Sequence, residues 1–447
     1  MPRKCLNEIA EYLFHHKDVK VCIDSRLVKK GDVFFAFSGT QTHGNTFIQN
    51  CLDQGARYII AESNSPYLKH KNVIATKNSH DYLIDLAANL RERSSARFVA
   101  ITGSNGKTTT KDLTHFALNN KNNQTLKTQG NYNNLIGVPF TLSQLKEHHQ
   151  YAVIECGTNQ PGEIKQLVEM VKPEVSVITS INAAHLSGLK SVKGIAEEKS
   201  DILNSTNEFC LIRKIDAKFS VYKEKIENRK FAYIDDHQEF SKLKSLSSAN
   251  SISWLYKKQK FTLESPALHN INNSMTAIYI AEYFGIPLRH VSSRLKKWKP
   301  NAHRMCVTQW KKRKIIDDCY NANPASVVAA VDTAAEIKEG SRKNLFVVFG
   351  NMNEMGGKSK VHHKKIGKFF AEKGVDVLLT YGEKAKASVE EFSKQGGKAC
   401  RHFENLCEIT TFLKVFTQPH DIILIKGSRS LQLERIIQKI STTESRA

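Results

Sequence analysis

Residues 101–110 read Ile-Thr-Gly-Ser-Asn-Gly-Lys-Thr-Thr-Thr, and this stretch is the most informative part of the chain. An apolar run, 98–101, precedes it, and a helix-like segment follows over 112–118. A strand, a glycine-rich turn and a helix start form an anion-binding cradle, because backbone N–H groups and the helix dipole both favour negative charge there. Lys107 can reach the outer phosphates of a nucleotide, and the hydroxyl of Thr108 can bind Mg²⁺.

The pattern is a short form of the phosphate-binding loop, G-x-x-G-K-T. The longer form has a further glycine at the position where this chain has Ile101. An ordinary strand-to-helix turn is the alternative, but such a turn does not require Gly-Lys-Thr-Thr at the junction. We therefore predict that the loop binds the phosphates of a nucleotide through Gly103, Ser104, Asn105, Gly106, Lys107, Thr108 and Thr109.

The composition is that of an ordinary globular protein. The chain has 447 residues, of which 40% are hydrophobic and 25% charged, and this length suits about two to four domains. No apolar run approaches the roughly 18 residues that span a bilayer, and the N-terminus shows no signal segment. We expect a cytoplasmic protein with no membrane partner. Nine cysteines without a C-x-x-C pair indicate reduced thiols rather than disulfides or zinc.

The net charge of +22 admits two interpretations. A nucleic-acid partner is one, and a lysine-rich surface on a protein with anionic substrates is the other. Lysine and arginine are spread along the whole length, and the densest runs, 257–258 and 311–314, are short. We therefore predict small anionic substrates and no nucleic acid.

Apolar runs alternate with helix-like stretches along the whole chain. Such runs are typical of parallel strands that are covered on both faces. We predict an α/β fold with a small N-terminal domain (1–82), a central P-loop domain (83–300) with a doubly wound, mostly parallel sheet, and a Rossmann-like C-terminal domain (301–447). The central domain is predicted to open with a helix from Tyr82 to Arg93.

Two candidate metal ligands follow apolar strands of the central domain. Glu155 ends the run 151–155, and His185 follows the run 175–181. The carboxyl ends of parallel strands meet at one sheet edge, so we expect both residues near Thr108. A nucleotide brings Mg²⁺, which prefers oxygen ligands. The alternatives are a solvated acid and a histidine that only forms a hydrogen bond.

Three further segments offer polar groups for a ligand. The amide-rich stretch 130–139, with Asn131 and Asn134, could bind a polar ligand near the phosphates, or it could be a surface turn. Paired acids and amides over 317–324 follow a short strand and could hold a ribose or an amine. The stretch 426–430 lies between a strand and a helix and suits a carboxylate.

Together these motifs resemble those of the Mur ligase family. They are the phosphate loop with Lys111, Gly-Asn-x-Asn-Asn-x-Ile-Gly-Val-Pro at 130–139, Asp-x-Tyr-Asn-Ala-Asn-Pro at 318–324 and Lys-Gly-Ser-Arg-Ser at 426–430. The resemblance extends over essentially the whole chain. It implies an ATP-dependent ligase of peptidoglycan precursor synthesis, which activates a carboxylate as an acyl phosphate for attack by an amine.

The motifs are most similar to one branch of that family. The branch joins D-alanyl-D-alanine to UDP-N-acetylmuramoyl-tripeptide (UDP-MurNAc-tripeptide), with ATP and Mg²⁺ as cofactors, and we expect a monomer. The sister branch that adds diaminopimelate or lysine carries an Asp-Asn-Pro-Arg motif in its last domain, which this chain lacks.

The resemblance also implies a role for each matching residue. Catalytic and Mg²⁺-binding roles fall on Lys107, Thr108, Glu155, His185 and Lys199, the last at the position of a carbamylated lysine. Contacts with adenine, ribose and phosphate fall on His269, Asn270, Asn273, Arg304 and Asp318. Contacts with the substrates fall on Ser25 and Arg26 for the UDP-sugar and on Ser428 and Arg429 for the dipeptide. The amide-rich segments described above add Asn131, Asn134 and Asn321 as candidates that bind polar groups of a substrate.

The chain departs from the family pattern at three places. Ser187 replaces an acid after Ala-His-Leu, Asn351 replaces the acid of Gly-Asp-Met, and 43–47 reads His-Gly-Asn-Thr-Phe where Gly-His-Asp-Phe is usual. Two alternatives stay open. A folylpolyglutamate-synthase-like ligase would share the phosphate loop but lack the motifs at 130–134 and 318–324. A nucleotide-dependent nucleic-acid-binding protein would explain the charge but would leave the metal-binding residues without a role.

Overall fold

The computed structural model describes residues 3–39, 42–120, 124–184, 186–204, 208–227, 229–235, 240–243, 250–339 and 343–441. Three sheets that are parallel or mostly parallel, each with flanking helices, follow one another along these residues, and a small antiparallel sheet lies between the second and the third. The predicted three-domain α/β fold is therefore confirmed, whereas the limits 1–82, 83–300 and 301–447 remain our proposal. Within the described ranges, no helix has both the length and the apolar character needed to cross a membrane.

The first sheet has four parallel strands in chain order, β1 (Val21–Cys22), β2 (Val33–Phe35), β3 (Tyr58–Glu62) and β4 (Val73–Thr76). Its helices are α1 (Arg3–His15), α2 (Ile48–Asp53) and α3 (Ser79–Arg93). The predicted start of α3 at Tyr82 is wrong, because Asn78 caps the helix and accepts the backbone N–H groups of His80 and Asp81. The proposed boundary after residue 82 thus falls inside α3.

The central sheet has six parallel strands in the order β10-β9-β8-β5-β7-β6. The strands are β5 (Arg97–Thr102), β6 (Thr125–Lys127), β7 (Tyr151–Glu155), β8 (Val175–Ile178), β9 (Phe209–Ile212) and β10 (Lys230–Tyr233). The helices are α4 (Lys107–Leu118), α5 (Gly137–Leu142), α6 (Glu163–Val171), α7 (Leu186–Leu189), α8 (Val192–Ser200) and α9 (Ser220–Ile226). Because β5 lies between β7 and β8, the carboxyl ends of these three strands meet beside the phosphate loop.

A small antiparallel sheet follows, which the sequence analysis does not predict. Its strands are β11 (Phe240–Leu243), β12 (Ile252–Tyr256) and β13 (Gln259–Leu263). Two helices come next, α10 (His269–Tyr283) and α11 (Leu288–Leu295), and both pack against α4. The stretch 252–263 mixes apolar and charged residues in short runs, so it lacks the continuous apolar pattern of the parallel strands.

The third sheet has the order β14-β15-β19-β16-β17-β18 and is parallel except for the β14–β15 hairpin. Its strands are β14 (Cys306–Trp310), β15 (Arg313–Asp317), β16 (Leu345–Gly350), β17 (Val377–Tyr381), β18 (Ala399–Phe403) and β19 (Ile422–Lys426). Its helices are α12 (Pro324–Lys338), α13 (Ser359–Glu372), α14 (Lys386–Lys394), α15 (Leu406–Phe416) and α16 (Glu434–Ser441). The pairing of β15 with β19 places Asp318 beside Lys426.

Candidate functional site

The phosphate loop has the conformation that its glycines allow. Gly106 precedes α4 with φ +83°, and a Cβ there would lie 2.7 Å from Asn273 Oδ1. Gly103 has φ +147°, and a Cβ there would lie 2.0 Å from Thr179 Oγ1. A side chain at either position would meet both backbone strain and a neighbouring group, which explains the glycines. The predicted strand, loop and helix start are confirmed.

The end of β8 holds the loop in place. The Ser104 backbone N–H donates to the Ser180 carbonyl at 2.7 Å, and the Asn105 backbone N–H donates to Ser180 Oγ at 3.1 Å. The Ser104 hydroxyl donates to the Asn182 carbonyl at 2.9 Å and accepts the Asn182 N–H at 3.0 Å. These four hydrogen bonds attach the loop to the segment that follows β8.

Lys107 is half-buried and folds back over the loop, where Nζ donates to the Gly103 carbonyl at 2.7 Å. Burial lowers its pKa, the Glu155 carboxylate raises it and the Arg304 guanidinium lowers it. Two cations and one carboxylate thus surround the start of α4, and the positive end of the helix dipole adds to them. This arrangement favours an anion in front of the helix.

Glu155 ends β7 beside the start of α4, as predicted. Its Oε1 accepts the Thr108 hydroxyl at 3.2 Å and the Asn133 side-chain N–H at 2.9 Å. Its Oε2 is buried, 3.9 Å from Lys111 Nζ, and among the described residues it has no hydrogen-bond partner. A buried carboxylate oxygen with free acceptor capacity beside a threonine hydroxyl fits a Mg²⁺ ion.

Lys199 lies on α8 and is completely buried. Its Nζ has no hydrogen-bond partner in the described part of the chain. Burial and the nearby Lys107 charge hold the pKa of Lys199 well below its ordinary value, and the Glu198 carboxylate opposes them. A neutral buried amine is the form of lysine that reacts as a nucleophile. The predicted metal ligand His185 lies outside the described residues.

A cavity of about 520 Å³ joins the phosphate loop to the third domain. Most of the predicted nucleotide-site residues line it, namely Ser104, Asn105, Gly106, Lys107, Thr108, Thr109, Glu155, His269, Asn270, Asn273, Arg304 and Asp318. Three predicted substrate residues line it as well, Asn131, Asn134 and Asn321. Residues that are far apart in the sequence thus share one cavity. Lys199 is not part of its lining.

Helix α10 supports the loop from below the cavity. Asn273 Oδ1 accepts the Thr110 hydroxyl at 3.3 Å, and Asn273 Nδ2 donates to Asn270 Oδ1 at 3.0 Å. Asn270 Nδ2 donates in turn to Ser265 Oγ at 3.0 Å. These amides position the loop through their side chains. His269 starts the helix, and burial lowers its pKa, so its imidazole is neutral near pH 7.

The third domain contributes charged groups to the same cavity. Arg304 Nη2 donates to Thr108 Oγ1 at 3.2 Å, and the guanidinium lies 4.0 Å from the centre of the Tyr320 ring. Asp318 Oδ2 pairs with Lys426 Nζ at 2.5 Å, and Asp318 Oδ1 accepts the Met305 N–H at 3.1 Å. Arg304 therefore reaches the start of α4 from the opposite domain.

The remaining predicted substrate residues lie elsewhere. Ser25 and Arg26 belong to a 3₁₀ turn of the first domain, where Arg26 pairs with Asp24 at 2.6 Å and lowers the pKa of that carboxyl to about 2. Ser428 is buried and accepts a backbone N–H, and Arg429 pairs with a glutamate at 2.7 Å. None of the four lines the cavity.

The structure also shows what two of the departures do. Asn351 Oδ1 accepts the Ala385 N–H at 3.0 Å, and the Asn351 carbonyl accepts the Ser428 N–H at 3.0 Å. Asn351 thus connects the ends of three loops and does not line the cavity. Ser187 is exposed on α7, and its backbone lies near Gly356.

Sequence reasoning missed several groups around the cavity. Asn133 donates to Glu155, and Lys111 faces the other oxygen of that carboxylate. Asn323 and Tyr320 line the cavity from the third domain. All four lie in or next to the motifs quoted above, so the motifs pointed to the right segments. The sequence alone does not say which side chains of a loop turn inward.

Family models match three consecutive parts of the chain. They are the Mur ligase family catalytic domain over 19–91, the Mur ligase middle domain over 101–281, and the Mur ligase glutamate ligase domain over 303–429.

Individual relatives match over nearly the full length. The UDP-N-acetylmuramoyl-tripeptide–D-alanyl-D-alanine ligase of Buchnera aphidicola subsp. Baizongia pistaciae is 31% identical over 440 residues, covering 94% of this chain and 92% of its own. The crystal structure of MurF from Acinetobacter baumannii has a TM-score of 0.82 at 25% identity and 98% coverage of both chains. MurF ligase from Thermotoga maritima in complex with ADP has a TM-score of 0.79 at 25% identity, covering 98% of this chain and all of its own. On this identity over almost the whole length, this chain belongs to the Mur ligase family.

Proposed function

We propose that this enzyme joins D-alanyl-D-alanine to UDP-MurNAc-tripeptide and converts ATP to ADP and phosphate. The Buchnera relative described above is named as a UDP-N-acetylmuramoyl-tripeptide–D-alanyl-D-alanine ligase, and one neighbouring structure holds ADP. The observation that carries the proposal is the shared cavity, in which Lys107 and Arg304 converge on the start of α4 from two domains. A transferring phosphoryl group spreads negative charge over its oxygens, and converging cations stabilise that charge.

The reaction needs an activated carboxylate, because a free carboxylate is a poor electrophile. Transfer of the terminal phosphoryl group of ATP to the tripeptide carboxylate gives an acyl phosphate. The amine of the dipeptide then attacks the acyl carbon, and the tetrahedral intermediate releases phosphate and forms the amide. Lys107 neutralises charge at the phosphates, and Arg304 approaches from the third domain.

The residues at the sheet edge fit a Mg²⁺ ion. Thr108 offers a hydroxyl and Glu155 a buried carboxylate oxygen without a hydrogen-bond partner in the described structure. We propose His185 as a further ligand from the sequence motif. When bound, Mg²⁺ supplies positive charge to the phosphates. Asn133 orients the carboxylate through its hydrogen bond.

Lys199 is proposed to be carbamylated. Its amine is buried and its pKa is held well below the ordinary value, which favours the neutral form that adds CO₂. Addition of CO₂ and loss of one proton convert the amine to a carbamate, which carries a negative charge and carboxylate-like oxygens. Its oxygens would then offset the positive charge of Lys107. In the unmodified protein that charge disfavours the protonated form of the Lys199 amine.

The two other substrates are assigned to the outer domains. We propose that Ser25 and Arg26 contact the UDP-sugar, and that Ser428 and Arg429 contact the dipeptide. Because these residues do not line the cavity, a movement of the outer domains toward it is expected during the reaction. We propose that the enzyme acts as a monomer.

Phosphate release tests the proposal. Purified enzyme receives ATP, Mg²⁺ and UDP-MurNAc-tripeptide, with D-alanyl-D-alanine, with D-alanine alone, or with neither. Release that requires both the tripeptide and the dipeptide supports the assignment. Release only with a folate and glutamate would identify a folylpolyglutamate-synthase-like ligase. If no pair of substrates gives phosphate release and the protein retains DNA or RNA in a salt-sensitive way, the alternative of a nucleotide-dependent nucleic-acid-binding protein would be favoured.

A further inference from the structure

A second cluster of ligand-type side chains lies behind the nucleotide cavity. His303, Asp317 and Cys319 each offer one atom, and these three atoms lie within 4.8 Å of one another. His303 Nδ1 is 2.7 Å from Asp317 Oδ2, and Cys319 Sγ is 2.9 Å from Asp317 Oδ1. The carboxylate thus stands between an imidazole nitrogen and a thiol, and the reaction proposed above uses none of the three.

The backbone is shaped to bring His303 to this place. The β14–β15 pairing sets Cys306 opposite Asp317, so the loop before β14 returns past the end of β15. His303 has φ +64° and Met305 has φ +55°, a left-handed conformation that non-glycine residues seldom adopt. The Tyr320 N–H donates to the His303 carbonyl at 3.1 Å and holds the bend. Backbone strain of this kind concentrates at functional sites.

Negative charge surrounds the thiol. Cys319 is 1% exposed, and Glu434 Oε2 lies 3.9 Å from its Sγ. Burial, and then the Asp317 and Glu434 carboxylates, raise the pKa of Cys319. The same negative charge favours a cation among these atoms. Arg429 offsets only one oxygen of Glu434, which it contacts at 2.7 Å.

The mixture of ligand atoms selects the kind of cation. Mg²⁺ and Ca²⁺ prefer sets made of oxygen alone, whereas Zn²⁺ accepts histidine nitrogen, cysteine sulfur and carboxylate oxygen together. We propose that His303, Asp317 and Cys319 bind a Zn²⁺ ion, with Glu434 close enough to serve as a fourth ligand. Binding releases the thiol proton to solvent, the neutral imidazole carries its proton on Nε2 so that Nδ1 is free, and the two hydrogen bonds to Asp317 give way to bonds with the metal.

The site is coupled to the nucleotide cavity by the chain itself. Arg304 follows His303 and Asp318 follows Asp317, and both of these neighbours line the cavity. An ion that bridges 303 and 317 therefore fixes the Arg304 loop against the end of β15. The absence of a C-x-x-C pair disfavours zinc at the level of sequence, but here the ligands come from two segments that the β14–β15 hairpin brings together.

Cobalt titration tests the site without any reference to ligase activity. The full-length protein is freed of metal with a chelator and titrated with Co²⁺, without Mg²⁺ or nucleotide. We expect the near-ultraviolet band of a Co²⁺–thiolate bond and the strong visible bands of tetrahedral Co²⁺, saturating at one ion per chain and displaced by Zn²⁺. Cys319→Ser abolishes the thiolate band. His303→Gln weakens Co²⁺ binding by at least the roughly 10- to 100-fold that loss of a supporting hydrogen bond costs a metal site.

Cys407→Ser is the matched control, because Cys407 is exposed and lies on α15. This variant keeps the thiolate band if the proposal is correct. The proposal is overturned if the wild type gives no thiolate band, or if the band survives Cys319→Ser or is lost in Cys407→Ser. Thermal unfolding of each metal-free variant verifies that it folds. If Cys319→Ser does not fold, His303→Gln decides, since unchanged Co²⁺ affinity in that variant overturns the proposal.

Discussion

Asn105 in the phosphate loop and Asn323 at the start of α12 exchange two hydrogen bonds between the central and third domains. Asn323 Nδ2 donates to Asn105 Oδ1 at 2.7 Å, and Asn105 Nδ2 donates to Asn323 Oδ1 at 3.2 Å. Asn323 Oδ1 also accepts the Ser326 N–H at 2.9 Å and so caps α12. The Asn323 side chain therefore caps α12 and connects that helix to the phosphate loop.

Removal of this amide pair should weaken catalysis more than stability. Asn105→Ala deletes both interdomain hydrogen bonds and keeps the cap of α12. Two neutral hydrogen bonds are worth about 1–2 kcal/mol, so we expect kcat/KM for ATP to fall roughly 5- to 30-fold. Asn323→Ser keeps a capping hydroxyl but loses the pair, and should show a similar loss. Steady-state kinetics and thermal unfolding check this; an unchanged kcat/KM in Asn323→Ser would contradict the proposed role.

Gly106→Ala should abolish nucleotide binding. The substitution forces a side chain to adopt φ +83° and places its Cβ 2.7 Å from Asn273 Oδ1. Gly396→Ala is a matched control, because it has φ +80° and nothing within 4 Å of the new Cβ. Both variants should lose about 1–2 kcal/mol of stability from the left-handed backbone. Only Gly106→Ala should lose ADP binding in calorimetry, and retention of wild-type affinity by that variant would refute the steric argument.

The sequence predicted those parts of the site that local patterns determine. The turn at Gly103 and Gly106 and the carboxylate at the end of β7 follow from strand, loop and helix rules, and both lie where expected. The sequence could not show that the side-chain amides of Asn270 and Asn273 hydrogen-bond to each other, or that Asn273 also accepts the hydroxyl of Thr110 in α4. Such pairing depends on how α10 packs against α4, and packing between distant segments leaves no local pattern.

The same limit explains the outer parts of the fold. The mixed composition of 252–263 hid an antiparallel sheet, because its strands gain their stability from burying Trp254 against Phe261 and the body of the central domain. The motif predicts that Arg429 contacts a substrate, and this stays a prediction; the sequence does not show that its guanidinium pairs with Glu434. A charged side chain pairs with an opposite charge that lies near it in the folded protein, and the sequence alone does not identify that residue.

Glu155→Gln should weaken the binding of Mg²⁺. Glutamine keeps an oxygen for Thr108 and Asn133 but replaces the charged Oε2, which accepts no hydrogen bond from the described residues, with a neutral group. We expect the Mg²⁺ concentration for half-maximal phosphate release to rise about 10- to 100-fold. Glu147→Gln, at an exposed pair with His15, should leave that concentration unchanged. Equal Mg²⁺ dependence in Glu155→Gln and the wild type would remove Glu155 from the set of ligands.

Lys199→Ala should lose activity and regain part of it with acetate. The variant opens space at a buried position whose proposed carbamate is carboxylate-like, and a small carboxylate can occupy that space. Lys193→Ala on the same helix is the control, since Lys193 is 79% exposed. Phosphate release is measured against acetate concentration for both variants. Wild-type activity in Lys199→Ala without acetate would eliminate the proposed carbamate.

The lowered pKa of Lys199 also predicts how stability depends on pH in buffer free of CO₂. Unfolding lets the amine regain its ordinary pKa of 10.5, so below that pH the unfolded chain binds a proton that the folded chain does not. This contribution destabilises the wild type increasingly as the pH falls below about 10, toward the lowered pKa of the folded amine. Lys199→Met lacks the contribution, so its midpoint of thermal unfolding should rise above that of the wild type by an amount that grows as the pH falls.

Bicarbonate should shrink the difference, because a carbamate removes the buried amine, and Lys193→Met should show no such trend. A difference that is the same at every pH would mean that the Lys199 amine does not change its protonation on folding.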